Sequence, residues 1–205
     1  MTITEERTPA APSLAVSQAA RRAMIDSQLR TSGVNEPWVL AAMAGLARED
    51  FVPEAMKAAA YIDRAIPLGD GRFLAAPLVH GRMLAEAVPT AQDNALLVGD
   101  GSGYLAALLR PLVGSLDAIA PAEAGGRAKK GPYSLVVVDG AIGELPPALA
   151  ARLTEGGRIV TGLDLRGVTR LAVGRKAAGE IALLPLAEIG IPVLPELAAQ
   201  KGWSF

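Results

Sequence analysis

The stretch Ala95-Leu96-Leu97-Val98-Gly99-Asp100-Gly101-Ser102-Gly103-Tyr104 constrains this chain more than any other. Four apolar residues run into glycines at three alternate positions, and a second apolar run, Leu105 to Leu109, follows. A continuous apolar run of this length reads as a strand buried on both faces, the situation of parallel sheets flanked by helices. Glycines directly after it permit a tight turn with positive φ and let a ligand approach the backbone. The helix that follows is expected to aim its N-terminal amides into the same crevice. Such a strand, glycine turn and helix also arise from close packing alone, so the neighbouring segments decide what it means.

Those neighbours alternate in type. Leu116 to Ala120 reads as a second strand and Leu135-Val136-Val137-Val138-Asp139 as a third that ends in an acid, with Arg158 to Gly162 as a fourth. Helices are expected from Gly103 to Leu112 and from Pro146 to Leu153, with one short helix at most between Pro121 and Lys130. Thr169 to Gly174, Glu180 to Leu186 and Ile191 to Leu194 look like further strands, the first two joined by a turn. Upstream, Val16, Ala20, Ala23, Met24 and Leu29 recur at helical spacing, with Gly33 as the stop. Asn35 reads as the N-cap of a second helix that carries Pro37 and Trp38, and a third covers Leu78 to about Val88. Tyr61 to Pro77 reads as irregular and turn-rich. The expected organisation is a loosely tethered or disordered 1–13, a helical segment over 14–88 and a core over 89–205, forming one structural domain. Alternating strands and helices make this an α/β protein with a mostly parallel sheet.

Composition narrows the chemistry. Hydrophobic residues make up 51% of the chain, enough for a sizeable core. The absence of cysteine removes disulfides, thiolate metal sites and cysteine nucleophiles, and a single histidine leaves no His-rich metal site. A net charge of −1 gives no reason to expect nucleic acid or an anionic membrane as partner. No apolar run reaches the roughly 20 residues of a membrane span. Residues 1–12 carry no signal-like apolar core, so a cytoplasmic location is the expectation.

Gln28-Leu29-Arg30, Val39-Leu40-Ala41-Ala42-Met43, Arg48-Glu49-Asp50-Phe51-Val52-Pro53, Ala60-Tyr61-Ile62-Asp63 and Ile66-Pro67-Leu68-Gly69 follow one another in one order and spacing. Together with Gly99 to Tyr104 and Gly156-Gly157-Arg158-Ile159-Val160, they resemble the protein-L-isoaspartate O-methyltransferase family, over about residues 20 to 195. The resemblance implies a Rossmann-like, S-adenosylmethionine-dependent methyltransferase fold of seven strands with an N-terminal helical segment. It implies methylation of isoaspartyl carboxyls in a protein or peptide. It also implies that Gly99, Gly101 and Gly103 let the backbone approach the methionine end of the cofactor, with Asp100 and Ser102 in the same turn. Asp139 joins these cofactor-binding candidates because it ends a buried strand at the edge where open sheets bind ligands, or else it caps the following turn.

The chain departs from the family's pattern where chemistry is done. Against a family segment that places a hydroxyl beside the substrate carboxylate, Gly71-Arg72-Phe73-Leu74-Ala75-Ala76-Pro77 offers none: Ala75 stands for the serine, Phe73 for a threonine and Ala76 for a glutamine. The family's acid two residues before the first glycine is Leu97. The acid that grips ribose hydroxyls at the end of the second strand falls on Ala120, with Asp117 three residues early. Between the second strand and the Leu135 strand only Pro121 to Ser134 remain, fourteen residues. A parallel crossover takes a dozen or more, so one crossover fits and an intervening strand does not. The sheet is therefore expected to be shortened at the edge beyond its second strand, in a region that walls the adenine pocket in the family.

Two function classes follow. One is a divergent carboxyl methyltransferase with activity lost or much reduced. The other is a non-catalytic binding or assembly module, perceived as a pseudoenzyme and a candidate homo-oligomer, with Trp203 and Phe205 as aromatics able to dock on the body or a second subunit. His80 reads as packed or solvated in preference to a general base, Trp38 as core, and Asp100 as either a ligand contact or a cap.

Overall fold

A computed structural model describes residues 14–126 and 131–199; Lys129, Lys130, Trp203 and Phe205 and the expectation for 1–13 lie outside them. The helical run begins with α1 (Leu14–Met24), continues through one π turn and one 3-10 turn, and stops at Gly33, whose φ of 84° is the left-handed cap expected there. The next helix, α2 (Pro37–Gly45), takes Glu36 as N-cap rather than Asn35. Trp38 packs half-buried against the core. Two 3-10 turns, Arg48–Phe51 and Glu54–Ala59, lead into a small hairpin of β1 (Ile66–Gly69) and β2 (Arg72–Leu74) within the stretch read as irregular. Its short strands carry Pro67 and meet in one turn with Gly69 and Gly71, so no alternation betrays them.

After α3 (Pro77–Ala87) comes the main sheet: β3 (Asn94–Val98), β4 (Ser115–Ile119), β5 (Tyr133–Ile142), β6 (Leu153–Leu165), β7 (Val168–Ala177) and β8 (Glu180–Glu188), in the order β4-β3-β5-β6-β7-β8. β4, β3, β5 and β6 run parallel, and β7 and β8 return antiparallel. β4 is the sheet edge, and among the described residues no strand lies between it and β5, as the fourteen-residue interval requires. The result is a six-stranded sheet.

The helices are shorter than expected. α4 (Tyr104–Leu109) ends before Pro111, which has no N–H to continue the ladder. α5 is Pro147–Ala150 only. Ile191 to Leu194 forms no strand; Pro192 lacks a donor, and Val193 makes a single bridge to Ala141.

Successive β3 residues point to opposite faces. Ala95 and Leu97 pack with α2, α3, α4 and the N-terminal helices, whereas Leu96 and Val98 pack with Ala124, Leu149, Leu153 and Leu194. One continuous core thus joins the N-terminal segment to one face of the sheet. At the amino edge, Arg158 clasps Asp93 through two bonds of 2.9 and 2.7 Å and also donates to the carbonyls of Ala87 and Val88. Burial opposes the charged form of Asp93, but donation from Arg158, Ser134 and the Thr90 amide holds its carboxyl well below the usual range.

Candidate functional site

Because β3, β4 and β5 are adjacent and parallel, their carboxyl ends open on one edge, where a crevice of about 790 Å³ forms. The β3–α4 loop forms its floor, the β1–β2 hairpin one wall, and Ala118 to Pro121 together with Pro192 to Leu194 the others. Arg72 of the hairpin reaches Glu196 at 2.7 Å and ties two of these walls together.

The expected positive φ is found in this loop at Gly99 alone, at 159°. Gly101 and Gly103 do not take positive φ. Space is what runs out: a Cβ on Gly99 would lie 3.0 Å from Cβ of Asp139, and one on Gly101 would lie 2.9 Å from Cβ of Ala118. The loop is pressed against both flanking strands, and only bare backbone fits. Two amides of the loop are used within the turn. Asp100 Oδ1 accepts from Ser102 N at 2.8 Å and Ser102 Oγ at 2.7 Å, and Gly103 N donates to Asp100 O at 3.0 Å. Asp100 is therefore a turn-former, and its charge, with the Ser102 hydroxyl folded onto it, faces the crevice.

Asp139 also lines the crevice but caps nothing, because β5 continues past it through a register shift to Ile142. Its Oδ1 accepts from His80 Nε2 at 3.0 Å. His80 is fully buried, so of the two readings it is the packed one, but it is not partnerless. Its Nδ1 faces Arg48 Nη1 at 3.3 Å. Arg48, equally buried, donates through Nε to the Ala60 carbonyl at 2.7 Å and through Nη2 to the Ala75 carbonyl, and its guanidinium lies over the Tyr104 ring, 5.0 Å from the centroid. Burial lowers its pKa to about 10, which leaves it charged at neutral pH. Farther out, Tyr61 Oη donates to Glu49 and accepts from Arg21 Nε at 2.8 Å and from the Arg48 amide at 3.3 Å. A polar chain thus runs from α1 through the core to the crevice.

The positions that depart from the family's pattern lie in different surroundings. Ala75 is buried in the core rather than lining the crevice, and only its carbonyl is used, by Arg48. Phe73, 46% exposed, lines the mouth. Leu97 is core. Ala120 lines the crevice at the end of β4 and brings no acceptor side chain. Asp117 is turned to the Tyr133 hydroxyl at 3.0 Å, and Glu123 folds back to the Ala120 amide at 2.9 Å. The described residues contain no group of three His, Asp or Glu able to hold a metal ion, and no helix long and apolar enough to cross a membrane.

A glycine loop after the first parallel strand, a crevice at the carboxyl edge and two returning antiparallel strands define a Rossmann-like methyltransferase fold. The comparisons are specific. A family model described as protein-L-isoaspartate(D-aspartate) O-methyltransferase matches residues 19–124. A Koribacter versatilis protein-L-isoaspartate O-methyltransferase is 32% identical over 197 residues, covering 84% of this chain and 89% of its own. One from Methanoculleus marisnigri is 31% identical over 208 aligned positions, covering 89% and 93%. Among solved structures, a Plasmodium falciparum protein assigned as this methyltransferase, in complex with S-adenosyl-L-homocysteine, superposes with a TM-score of 0.70 at 18% identity, over 88% of this chain and 98% of that one. The chain belongs to the protein-L-isoaspartate(D-aspartate) O-methyltransferase family.

Proposed function

We propose that the chain binds S-adenosylmethionine at the carboxyl edge of β3, β4 and β5, and that its methylation of isoaspartyl carboxyls is lost or much reduced. The residues fit the amino-acid end of the cofactor. The loop from Gly99 to Gly103 leaves bare backbone for it to approach, and Asp139 offers a carboxylate beside that loop. They fit the ribose less well, because Ala120 supplies no acceptor; each unmet bond costs about 1–3 kcal/mol. The bound group would supply an electrophilic methyl. The protein's part is then to align a carboxylate oxygen with it, which is where alignment gains its rate.

The observation that supports the reduced activity is what the segment 71–76 turns to the crevice: Phe73 is apolar, Arg72 is paired with Glu196, and position 75 is buried in the core, so no hydroxyl of this segment orients an acceptor. The acidic lining adds to this: Asp50, Asp70, Asp100 and Asp139 face the crevice and oppose an incoming carboxylate. A non-catalytic binding module is the second reading, favoured by Ala120 and the exposed β4 edge.

Calorimetric titration with S-adenosylmethionine, followed by methyl transfer to an isoaspartyl peptide, tests both. Binding with negligible transfer is expected. Transfer at the rate of an active relative overturns the loss of activity, and silence at millimolar cofactor overturns the cofactor reading in favour of the binding module.

A further inference from the structure

We propose that Arg48 and His80 are positioning residues for Asp139: a donor chain that fixes one carboxylate oxygen from behind and leaves the other to accept from the ammonium end of the ligand in the crevice. The ligand half rests on the cofactor reading above.

The chain's direction follows from donor chemistry. A guanidinium has only donors, so Arg48 Nη1, 3.3 Å from His80 Nδ1, donates and Nδ1 keeps its lone pair. The single ring proton therefore sits on Nε2 and is given to Asp139 Oδ1 at 3.0 Å. Neither donor is free to turn. Arg48 is held by the carbonyls of Ala60 and Ala75, and the His80 ring packs 5.6 Å from that of Tyr104. Among the described residues His80 is the only hydrogen-bond partner of Asp139, so Oδ2 has no protein donor.

The charge around the crevice selects what Oδ2 receives. Besides Asp139, the lining carries Asp50, Asp70 and Asp100. Its basic side chain is Arg72, already paired with Glu196 at 2.7 Å. An anionic group at Asp139 would meet like charge on several sides, whereas an ammonium would be attracted from each. Gly99 brings the loop to within van der Waals contact of the Asp139 stem, so the carboxylate and the loop backbone bind as one surface.

The single histidine makes the test clean. In protein labelled with 15N at histidine, long-range imidazole spectra at pH 7.5 are expected to show the Nε2–H tautomer alone. A Nδ1–H tautomer or an imidazolium overturns the proposal. Calorimetry with S-adenosylhomocysteine then compares variants. His80→Leu is expected to bind about tenfold or more weakly, while His80→Gln, whose amide can both donate to Asp139 and accept from Arg48, stays within about threefold of wild type. Wild-type affinity in a folded His80→Leu, or failure of His80→Gln to recover binding, overturns it. If His80→Leu does not fold, Asp139→Asn replaces it: a loss of about tenfold is expected, and unchanged affinity counts against the proposal. No binding by the wild type refutes the cofactor reading and the ligand half with it, while the ring tautomer still decides the positioning half.

Discussion

Replacing Asp93 with alanine removes the acceptor at the amino edge of the sheet and should cost about 2–4 kcal/mol of stability. The carboxylate is 6% exposed and takes two bonds from Arg158, one from Ser134 Oγ at 2.6 Å, and two from Thr90, through N at 2.8 Å and Oγ1 at 3.1 Å. Breaking a buried pair costs about 3–5 kcal/mol when the remaining charge is stranded. Here Arg158 is 22% exposed and keeps the Ala87 and Val88 carbonyls, which brings the figure down. The melting temperature should fall by about 5–15 °C. The sign of the pH dependence is fixed as well. Folding depresses the Asp93 pKa, so its contribution is complete above the unfolded value of about 3.9 and disappears as pH falls through the folded value. Urea unfolding of wild type and Asp93→Ala at pH 7, 5 and 3 should give equal gaps at the first two and a smaller one at the third. A gap under about 1 kcal/mol at pH 7, or one that widens in acid, would refute the reasoning. Ligand titration at 25 °C should be unchanged, since the clasp lies at the edge opposite the crevice.

Gly101→Ala should destabilise by about 1–3 kcal/mol and weaken S-adenosylhomocysteine binding, because its Cβ meets Ala118; Ala118→Gly in the same chain should recover part of the loss, and strict additivity in calorimetry and melting would argue against the contact. Ala120→Glu, at the crevice end of β4, should tighten S-adenosylmethionine binding about tenfold by supplying a ribose acceptor, and an unchanged dissociation constant would show that position 120 does not face the sugar. Ala75→Ser alone should leave isoaspartyl peptide turnover at its starting level, because the new hydroxyl would be buried away from the crevice; a clear gain in a radiolabelled methyl assay would contradict that placement.

The parallel core was legible because four apolar residues before Gly99 and four before Asp139 leave few alternatives to buried strands. The shortened edge was legible by arithmetic, since fourteen residues cannot hold a further strand and two crossovers. What could not be read was anything that tertiary packing creates. Arg48, His80 and Asp139 lie 32 and 59 positions apart, and no periodicity announces that α3 will set one ring between the other two side chains. The glycine loop carried its signal in composition but hid most of its cause, which is the approach of Asp139 and Ala118, with a positive φ at Gly99 alone. The hairpin at Ile66 to Leu74 was missed because its strands are three and four residues long. Asp139 looked like a strand end because the shift in register that carries β5 past it depends on β6.

Arg48 has one more consequence. Its single guanidinium is engaged by the chain before the hairpin at Ala60, the chain after it at Ala75, the α3 histidine and the first ring of α4. A shift in the path of any of these four segments would disturb the other three through it, and at His80 and Tyr104 the side chain itself is part of the contact. Swapping the amino-terminal third of this protein for another's would therefore re-aim the acid at the far end of the chain of bonds, so that segment furnishes the crevice twice, directly through Asp50 and at a distance through Arg48.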